Sequence, residues 1–258
     1  MEKLITLPSK GGLMIVGDVH GDIASLELTL KKFYKGNDKL LFLGDYGDRG
    51  FDSSAVYETL FDLLKKHPDR VYLLKGNHEN FVREGSSILP KFYPHDFFSY
   101  LQKFKPDEIP KYFTFWESLP ICALAPKKYL FLHGGVSSKI KSFNDLKNPS
   151  EEIETDILWS DPAEEDVKRE QYNPRGAGVL FGKDITEKVC EVLGVKTIIR
   201  SHQPYLAKNG AAIHHDNRLL TISSTTVYGG KSAYLRINLG DRAKDAYELS
   251  KMLYVLSI

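Results

Sequence analysis

Several short apolar runs in this chain end in the same kinds of residue. Residues 13–16 run into Gly17-Asp18-Val19-His20-Gly21, and residues 40–43 into Gly44-Asp45-Tyr46-Gly47-Asp48-Arg49-Gly50. Residues 71–74 lead to Gly76-Asn77-His78-Glu79, and two later runs end in His133-Gly134-Gly135 and Ser201-His202-Gln203. Carboxylate and amide oxygens and imidazole nitrogens are the donors that divalent metals take. A strand end fixes each donor in place, and glycine lets the backbone turn sharply enough for donors from different strands to converge. No cysteine belongs to the set, so it suits manganese, iron or zinc better than a soft metal or an iron–sulfur centre. The donors are too many for one tetrahedral ion. They suit two ions, roughly 3.5–4 Å apart, sharing a carboxylate and a water. Taken singly, an Asp after a strand serves as a turn or helix cap, and a lone His as a satisfied structural residue. A pattern such as Gly-Asp-x-His-Gly arises by chance in roughly one chain of this size in several hundred. Three such blocks in order, each behind an apolar run, set the single-residue readings aside.

The elements needed to position these residues are legible in the hydrophobic pattern. Residues 13–16, 40–43 and 71–74 read as buried strands. Between the first two, Ile23, Leu26, Leu30, Phe33 and Tyr34 fall at helical spacing, closed by Gly36-Asn37-Asp38. Between the second and third, Asp52 or Ser53 caps a helix whose apolar face is Val56, Leu60, Leu63 and Leu64, closed by Pro68. This βαβαβ order predicts a parallel sheet with right-handed crossovers, and chemistry just beyond the carboxyl ends of its strands. The second half is richer in strands, expected at residues 129–132, 197–200, 219–223 and 233–239. Charged stretches at 151–154 and 164–170 read as solvated surface. Aromatics crowd residues 86–120 and are expected mostly to pack in the core. The tail at 252–256 is expected to pack as a last helix or strand.

Composition narrows the function classes. The chain has 258 residues, 42% of them apolar and 27% charged, as expected of one soluble α/β domain spanning residues 1–258. Its net charge of +1, from 35 basic and 34 acidic side chains, gives no reason to expect nucleic-acid or membrane-surface partners. No run approaches the ~18 apolar residues of a membrane span, and residues 1–8 lack the pattern of a secretory leader. Cys122 and Cys190 cannot staple a chain this long and read as core thiols in a reducing cytoplasm.

With these blocks assembled, the chain resembles the phosphoprotein phosphatase family of metallophosphoesterases. The family's signatures Gly-Asp-x-His-Gly, Gly-Asp-x-x-Asp-Arg-Gly and Gly-Asn-His-Glu are complete at residues 17–21, 44–50 and 76–79. His133-Gly134-Gly135, Trp159-Ser160-Asp161-Pro162, Arg175-Gly176 with Phe181-Gly182, and Ser201-His202-Gln203 match its later blocks, so the likeness covers residues 13–228. The compact length looks more like the short prokaryotic members. The resemblance implies a metallophosphoesterase-type α/β fold, a central β-sandwich flanked by helices with a dinuclear metal site at the strand ends. It implies that Asp18 and His20 hold one ion, that Asp45 bridges, and that Asn77, His133 and His202 complete the second. Arg49 and Arg175 would clamp phosphate, with Asn77 beside it. His78, oriented by Asp48, would protonate the leaving group, and Tyr228 would border the substrate pocket.

Physical chemistry supports such roles. A phosphate monoester is an anion, so attack by hydroxide needs nearby positive charge, which two divalent ions and two guanidinium forks supply. A water bridging two metal ions loses its proton near neutral pH and can attack phosphorus directly. A serine alkoxide leaves poorly and needs a general acid, for which an imidazole is suited. The implied activity is serine/threonine phosphoprotein hydrolysis with two divalent ions, manganese foremost and iron or zinc as alternatives. A small-molecule hydrolase acting on diadenosine tetraphosphate shares the first three blocks, and an inactive phospho-binding scaffold would lack a ligand or the acid. The chain departs from many eukaryotic members at Ser224-Thr225-Thr226-Val227-Tyr228-Gly229, where the tyrosine of their loop remains but its proline, asparagine and cysteine do not, and in the segment after Glu79. Regulatory-subunit docking therefore has no support in the sequence. His67, His95, His214 and His215 lie outside the blocks. Adjacent strand side chains point to opposite faces, which argues against a metal site at His214-His215.

Overall fold

The computed structural model describes residues 2–164 and 169–256. Strand β2 (Gly12–Val16), β3 (Lys39–Phe42) and β4 (Val71–Leu73) pair in parallel, with helix α1 (Ile23–Phe33) and helix α2 (Ser53–Lys66) as crossovers. Ala233–Asn238 joins the free edge of β2 antiparallel, and the tail strand Leu253–Val255 closes that side. A second sheet has six strands. Its order is β1 (Leu4–Thr6), Cys122–Ala125, Tyr129–Leu132, Thr197–Arg200, Leu219–Ile222 and Ala211–His214.

Alternation along the strands explains how the two sheets stack. Leu13 and Ile15 of β2 and Leu41 of β3 share one apolar cluster with Phe131, Ile199, Leu220 and Ile222 of the second sheet. Their neighbours Met14, Val16, Leu40 and Phe42 face the other way, into a cluster with α1, α2, α3 (Asp96–Phe104) and α4 (Ile109–Ser118). On the far side, Leu130, Leu132 and Ile198 pack under Glu151–Trp159 and Lys183–Leu193. Period-two strands with both faces apolar therefore build a β-sandwich with helices outside it. Each fully buried Leu, Ile or Phe contributes roughly 1.5–3 kcal/mol. A one-residue slip would exchange the two faces of a strand and turn the residues at its end away from their partners. Among the described residues, no helix is long and apolar enough to cross a membrane.

Local expectations hold with exceptions. Asp52 caps α2, its Oδ1 accepting the Ala55 N–H at 2.8 Å. The tail pairs as a strand, and Tyr254 stacks on Tyr234 at 5.1 Å. Of the aromatics in 86–120, Phe97, Phe98, Tyr112 and Trp116 are buried, but Tyr93, Tyr100 and Phe104 are exposed. Tyr100 and Phe104 stand on the outer face of α3, whose inner face is Phe97, Phe98 and Leu101. The charged stretches are only partly surface. Ser150 caps a helix at 151–159 whose first turn carries three glutamates, as its dipole favours. Glu154 of that turn is half-buried and paired with Lys3 at 2.9 Å. Glu170 accepts from the Ser138 amide and hydroxyl, and residues 165–168 lie outside the described residues.

Candidate metal centre and its surroundings

The site grows from the carboxyl ends of strands in both sheets. Asp18 and His20 follow β2, Asp45 and Asp48 follow β3, and Asn77 and His78 lie beyond β4. His133 and His202 follow the central strands of the second sheet. The turns are tight enough to force unusual backbone. His20, Asp45, Asp48, Arg49 and His202 have φ between 49° and 73°, half of the ten such non-glycine residues described. Asp and His tolerate this left-handed region better than most residues. Each still costs of order 1–3 kcal/mol, a strain that gathers where function fixes geometry. Gly44, at φ 107°, passes so close to Gly76 that a Cβ on it would lie 2.5 Å from the Gly76 Cα. That contact brings the ends of β3 and β4 together.

Imidazole orientation is set from behind. The His133 Nδ1–H donates to the Leu43 carbonyl at 2.9 Å, and the His20 Nδ1–H to the Gly47 carbonyl at 3.3 Å. Both rings therefore turn Nε2 lone pairs inward, the arrangement found behind metal-bound histidines. The His133 Nε2 lies 2.9 Å from Asn77 Oδ1, 3.1 Å from His202 Nδ1 and 3.3 Å from Asp45 Oδ2. The His20 Nε2 lies 3.4 Å from that same Asp45 Oδ2 and 3.9 Å from Asp18 Oδ2. Two groups of lone pairs thus converge with Asp45 Oδ2 common to both. Such crowding is repulsive without positive charge between the donors. The buried Asp18 Oδ2 and His202 Nε2 have no hydrogen-bond partner, a costly state that a cation beside Asp18 would relieve. The residues therefore fit divalent ions that take N and O donors. Titration responds to the same crowding. Burial opposes charge on His133, yet Asp45 and Asp18 hold its pKa above the ordinary value. Burial, then His133, Arg175 and Arg200, push that of His202 well down.

Beside this centre His78 pairs with Asp48, its Nδ1–H donating to Oδ2 at 2.8 Å. Burial opposes charge on the ring, but Asp45 and Asp48 raise its pKa above the usual value. Burial likewise opposes charge on Asp48, but its partners, the hydrogen bond from His78 foremost, hold the carboxyl well below the usual range. Arg175 is aimed by its Nε–H donating to Asp161 Oδ2 at 2.7 Å and its Nη2–H to the Tyr205 hydroxyl at 2.9 Å. A cavity of about 80 Å³ lies among His20, Asp45, Asn77, His78, Arg175, His202, Tyr205 and Tyr228. The structure thus brings together Asp18, His20, Asp45, Asp48, Asn77, His78, His133, Arg175, His202 and Tyr228. Arg49 stands apart. Its Nη2–H donates to the Pro94 carbonyl at 3.2 Å and its Nη1–H to Asp96 at 3.5 Å, beside a separate cavity of about 640 Å³.

Three participants went unassigned in the sequence. Glu79 accepts from the amides of Asp45, Tyr46 and Gly76 and from the Tyr57 hydroxyl, all at 2.9–3.0 Å. It thereby clamps the Asp45 turn, and its place as last residue of the Gly-Asn-His-Glu block was the available signal. Asp161, inside the Trp-Ser-Asp-Pro block, joins Arg175 to the buried Arg200 at 3.2 Å. His95 had no signal beyond its type. Of the other histidines, His215 is buried, with Nδ1 2.7 Å from the Thr186 hydroxyl and Nε2 3.1 Å from the Ala163 carbonyl, which fits a structural role.

Known proteins resemble this chain in sequence and in fold. The profile of the calcineurin-like phosphoesterases (Metallophos) matches residues 13–206. The chain is 34% identical over 245 residues to the serine/threonine-protein phosphatase 4 catalytic subunit of Kluyveromyces lactis, covering 90% of this chain and 75% of that protein. It is 31% identical over 227 residues to a serine/threonine-protein phosphatase of Caenorhabditis elegans, covering 84% of this chain and 48% of that one. The chain thus spans about half the length of the nematode protein. A solved structure of a protein serine/threonine phosphatase from Saccharomyces cerevisiae, described as similar to human phosphatase PP5, superposes with a TM-score of 0.78. It is 24% identical, over 99% of this chain and 83% of that one, which shows the shared fold. The chain belongs to the calcineurin-like phosphoesterase family, within the phosphoprotein phosphatases.

Proposed function

We propose that this chain, acting as one catalytic unit, is a metal-dependent serine/threonine protein phosphatase. The observation that carries the reading is the convergence of lone pairs on Asp45 Oδ2 beside the His78–Asp48 pair and Arg175. Asp18 and His20 would hold one divalent ion, and Asn77, His133 and His202 the other, with Asp45 between them. Such ions supply charge neutralisation for the phosphoryl oxygens and lower the pKa of the attacking water. Manganese suits the N/O donor set, with iron and zinc as alternatives. Arg175 presents a fork that matches two phosphoryl oxygens, with Asn77 and Tyr228 lining the same cavity. Arg49 would leave Asp96 and Pro94 to reach a bound phosphate. Asp48 accepts the Nδ1–H of His78 and so leaves Nε2 as the proton-carrying atom at the cavity. As water oxygen bonds to phosphorus, the ester P–O bond breaks, and the leaving alkoxide takes the Nε2 proton. A proton from solvent restores the imidazolium. The buried free thiols Cys122 and Cys190 favour a cytoplasmic setting.

The test is phosphate release from a phosphoserine peptide beside hydrolysis of diadenosine tetraphosphate, with Mn²⁺ supplied. Preference for the peptide is expected. Preference for the dinucleotide would overturn the substrate, and inactivity on both would favour a phospho-binding scaffold.

A further inference from the structure

His95 is a histidine that the reaction as described does not use, yet it is buried against the residues that do. It is 2% exposed and lies in the divergent segment after Glu79. Both ring nitrogens are committed. The His95 Nδ1 accepts the Phe98 N–H at 3.2 Å, which caps α3, and its Nε2–H donates to the His78 carbonyl at 2.9 Å. Together these contacts select the neutral tautomer protonated on Nε2. They also leave no lone pair for a metal, although His95, His78 and Asp48 lie close enough together to resemble a ligand group.

The helix that His95 caps returns to the same place. The first amides of α3 point at Asp48, whose Oδ1 accepts the Asp96 N–H at 2.6 Å and the Phe97 N–H at 3.3 Å. The other oxygen, Oδ2, holds the His78 ring. One side chain therefore ties the backbone of His78 to the helix end that fixes the carboxylate orienting the His78 imidazole. A loop formed by His95, α3, Asp48 and His78 closes on itself, with His95 joining the helix end to the His78 main chain. Phe92 packs edge-on against the His78 ring at 4.4 Å between centroids and narrows its freedom further.

We propose that His95 is a positioning residue for proton delivery, setting the angle at which the His78 Nε2 meets the leaving-group oxygen. The inference rests on the reading of His78 as the general acid. An aryl ester such as p-nitrophenyl phosphate has a leaving group stable without protonation, whereas a serine ester does not. Loss of acid alignment therefore slows only the serine ester. General loosening of the site slows both.

The natural probe is His95→Asn. Its Oδ1 can take the place of Nδ1 and keep the helix cap, while the reach to the His78 carbonyl is lost. His95→Gln, whose amide nitrogen can reach that carbonyl, serves as the partial rescue. Each variant is assayed with Mn²⁺ on a phosphoserine peptide and on p-nitrophenyl phosphate, beside wild type and His78→Asn. The expected result is a roughly ten- to hundredfold fall in kcat on the peptide for His95→Asn. KM and the aryl-ester rate should stay near wild type, and His95→Gln should recover part of the peptide rate. Equal losses on both substrates, or no loss, would overturn the role of His95. If His78→Asn itself spares the peptide rate, the assignment of the acid fails, and that outcome is distinguishable from failure of His95 alone.

Discussion

Asp48→Asn is the sharpest perturbation of the proposed acid, because Asp48 uses both oxygens as acceptors. Oδ2 takes the His78 Nδ1–H at 2.8 Å, and Oδ1 takes the Asp96 N–H at 2.6 Å and the Phe97 N–H at 3.3 Å. Asparagine has one acceptor oxygen, so its NH₂ group must face one of these donors. An unsatisfied buried donor costs about 1–3 kcal/mol, and each kcal/mol lowers Tm by about 2–4 °C in a chain this size. The charge disappears as well. Burial opposes the imidazolium of His78, which Asp45 and Asp48 support. Losing the Asp48 charge lowers the His78 pKa, although Asp45 remains in the variant to support the imidazolium. A general acid acts only while protonated, so kcat falls as pH rises through the His78 pKa. Lowering that pKa must move the alkaline limb toward acid. The assay is kcat against pH on a phosphoserine peptide at saturating Mn²⁺, wild type beside variant. A shift of the alkaline limb toward acid, together with the lowered Tm, is expected. A lowered Tm with an unmoved limb would refute the pairing as the source of the proton and leave it a structural contact.

Two further predictions concern the scaffold. Trp116 is fully buried, stacks on Phe81 at 4.1 Å and donates its Nε1–H to the Tyr57 hydroxyl at 3.0 Å. Trp116→Ala should cost about 3–5 kcal/mol, read as a lower urea midpoint with an unchanged m-value. Burial pushes the Cys190 thiol up to about 12 and Cys122 higher still. The folded chain should therefore resist a thiol-specific disulfide reagent at pH 8, while the urea-unfolded chain reports two thiols.

The sequence was most legible where strand period and ligand chemistry coincide. Leu13 to Val16 alternates between two cores and then delivers Asp18 and His20, so the same short run announces both strand and site. Asp52 was readable as a cap because its side chain acts within three residues of itself. Longer-range effects were hidden. Arg49 sits in a matched block, yet its direction depends on the Pro94 carbonyl and Asp96, more than forty residues away. Tyr100 and Phe104 are aromatic in a segment rich in core aromatics, and only the turn of α3 decides that they face outward. Glu170 looks like one more charge in a charged stretch, and its partner Ser138 is distant in the chain. His95 acts through a backbone carbonyl, a contact with no imprint on residue type.

The central claim is that lone pairs meeting around Asp45 Oδ2 hold two divalent ions on which hydrolysis depends. Its most direct test is to titrate chelator-stripped protein with Mn²⁺ while recording bound metal and phosphopeptide hydrolysis, wild type beside Asp45→Ala. Two ions per chain are predicted for wild type, with hydrolysis returning as the second binds, and weakened binding of both in Asp45→Ala. Full hydrolysis by the stripped chain, or unchanged metal binding in Asp45→Ala, would contradict it.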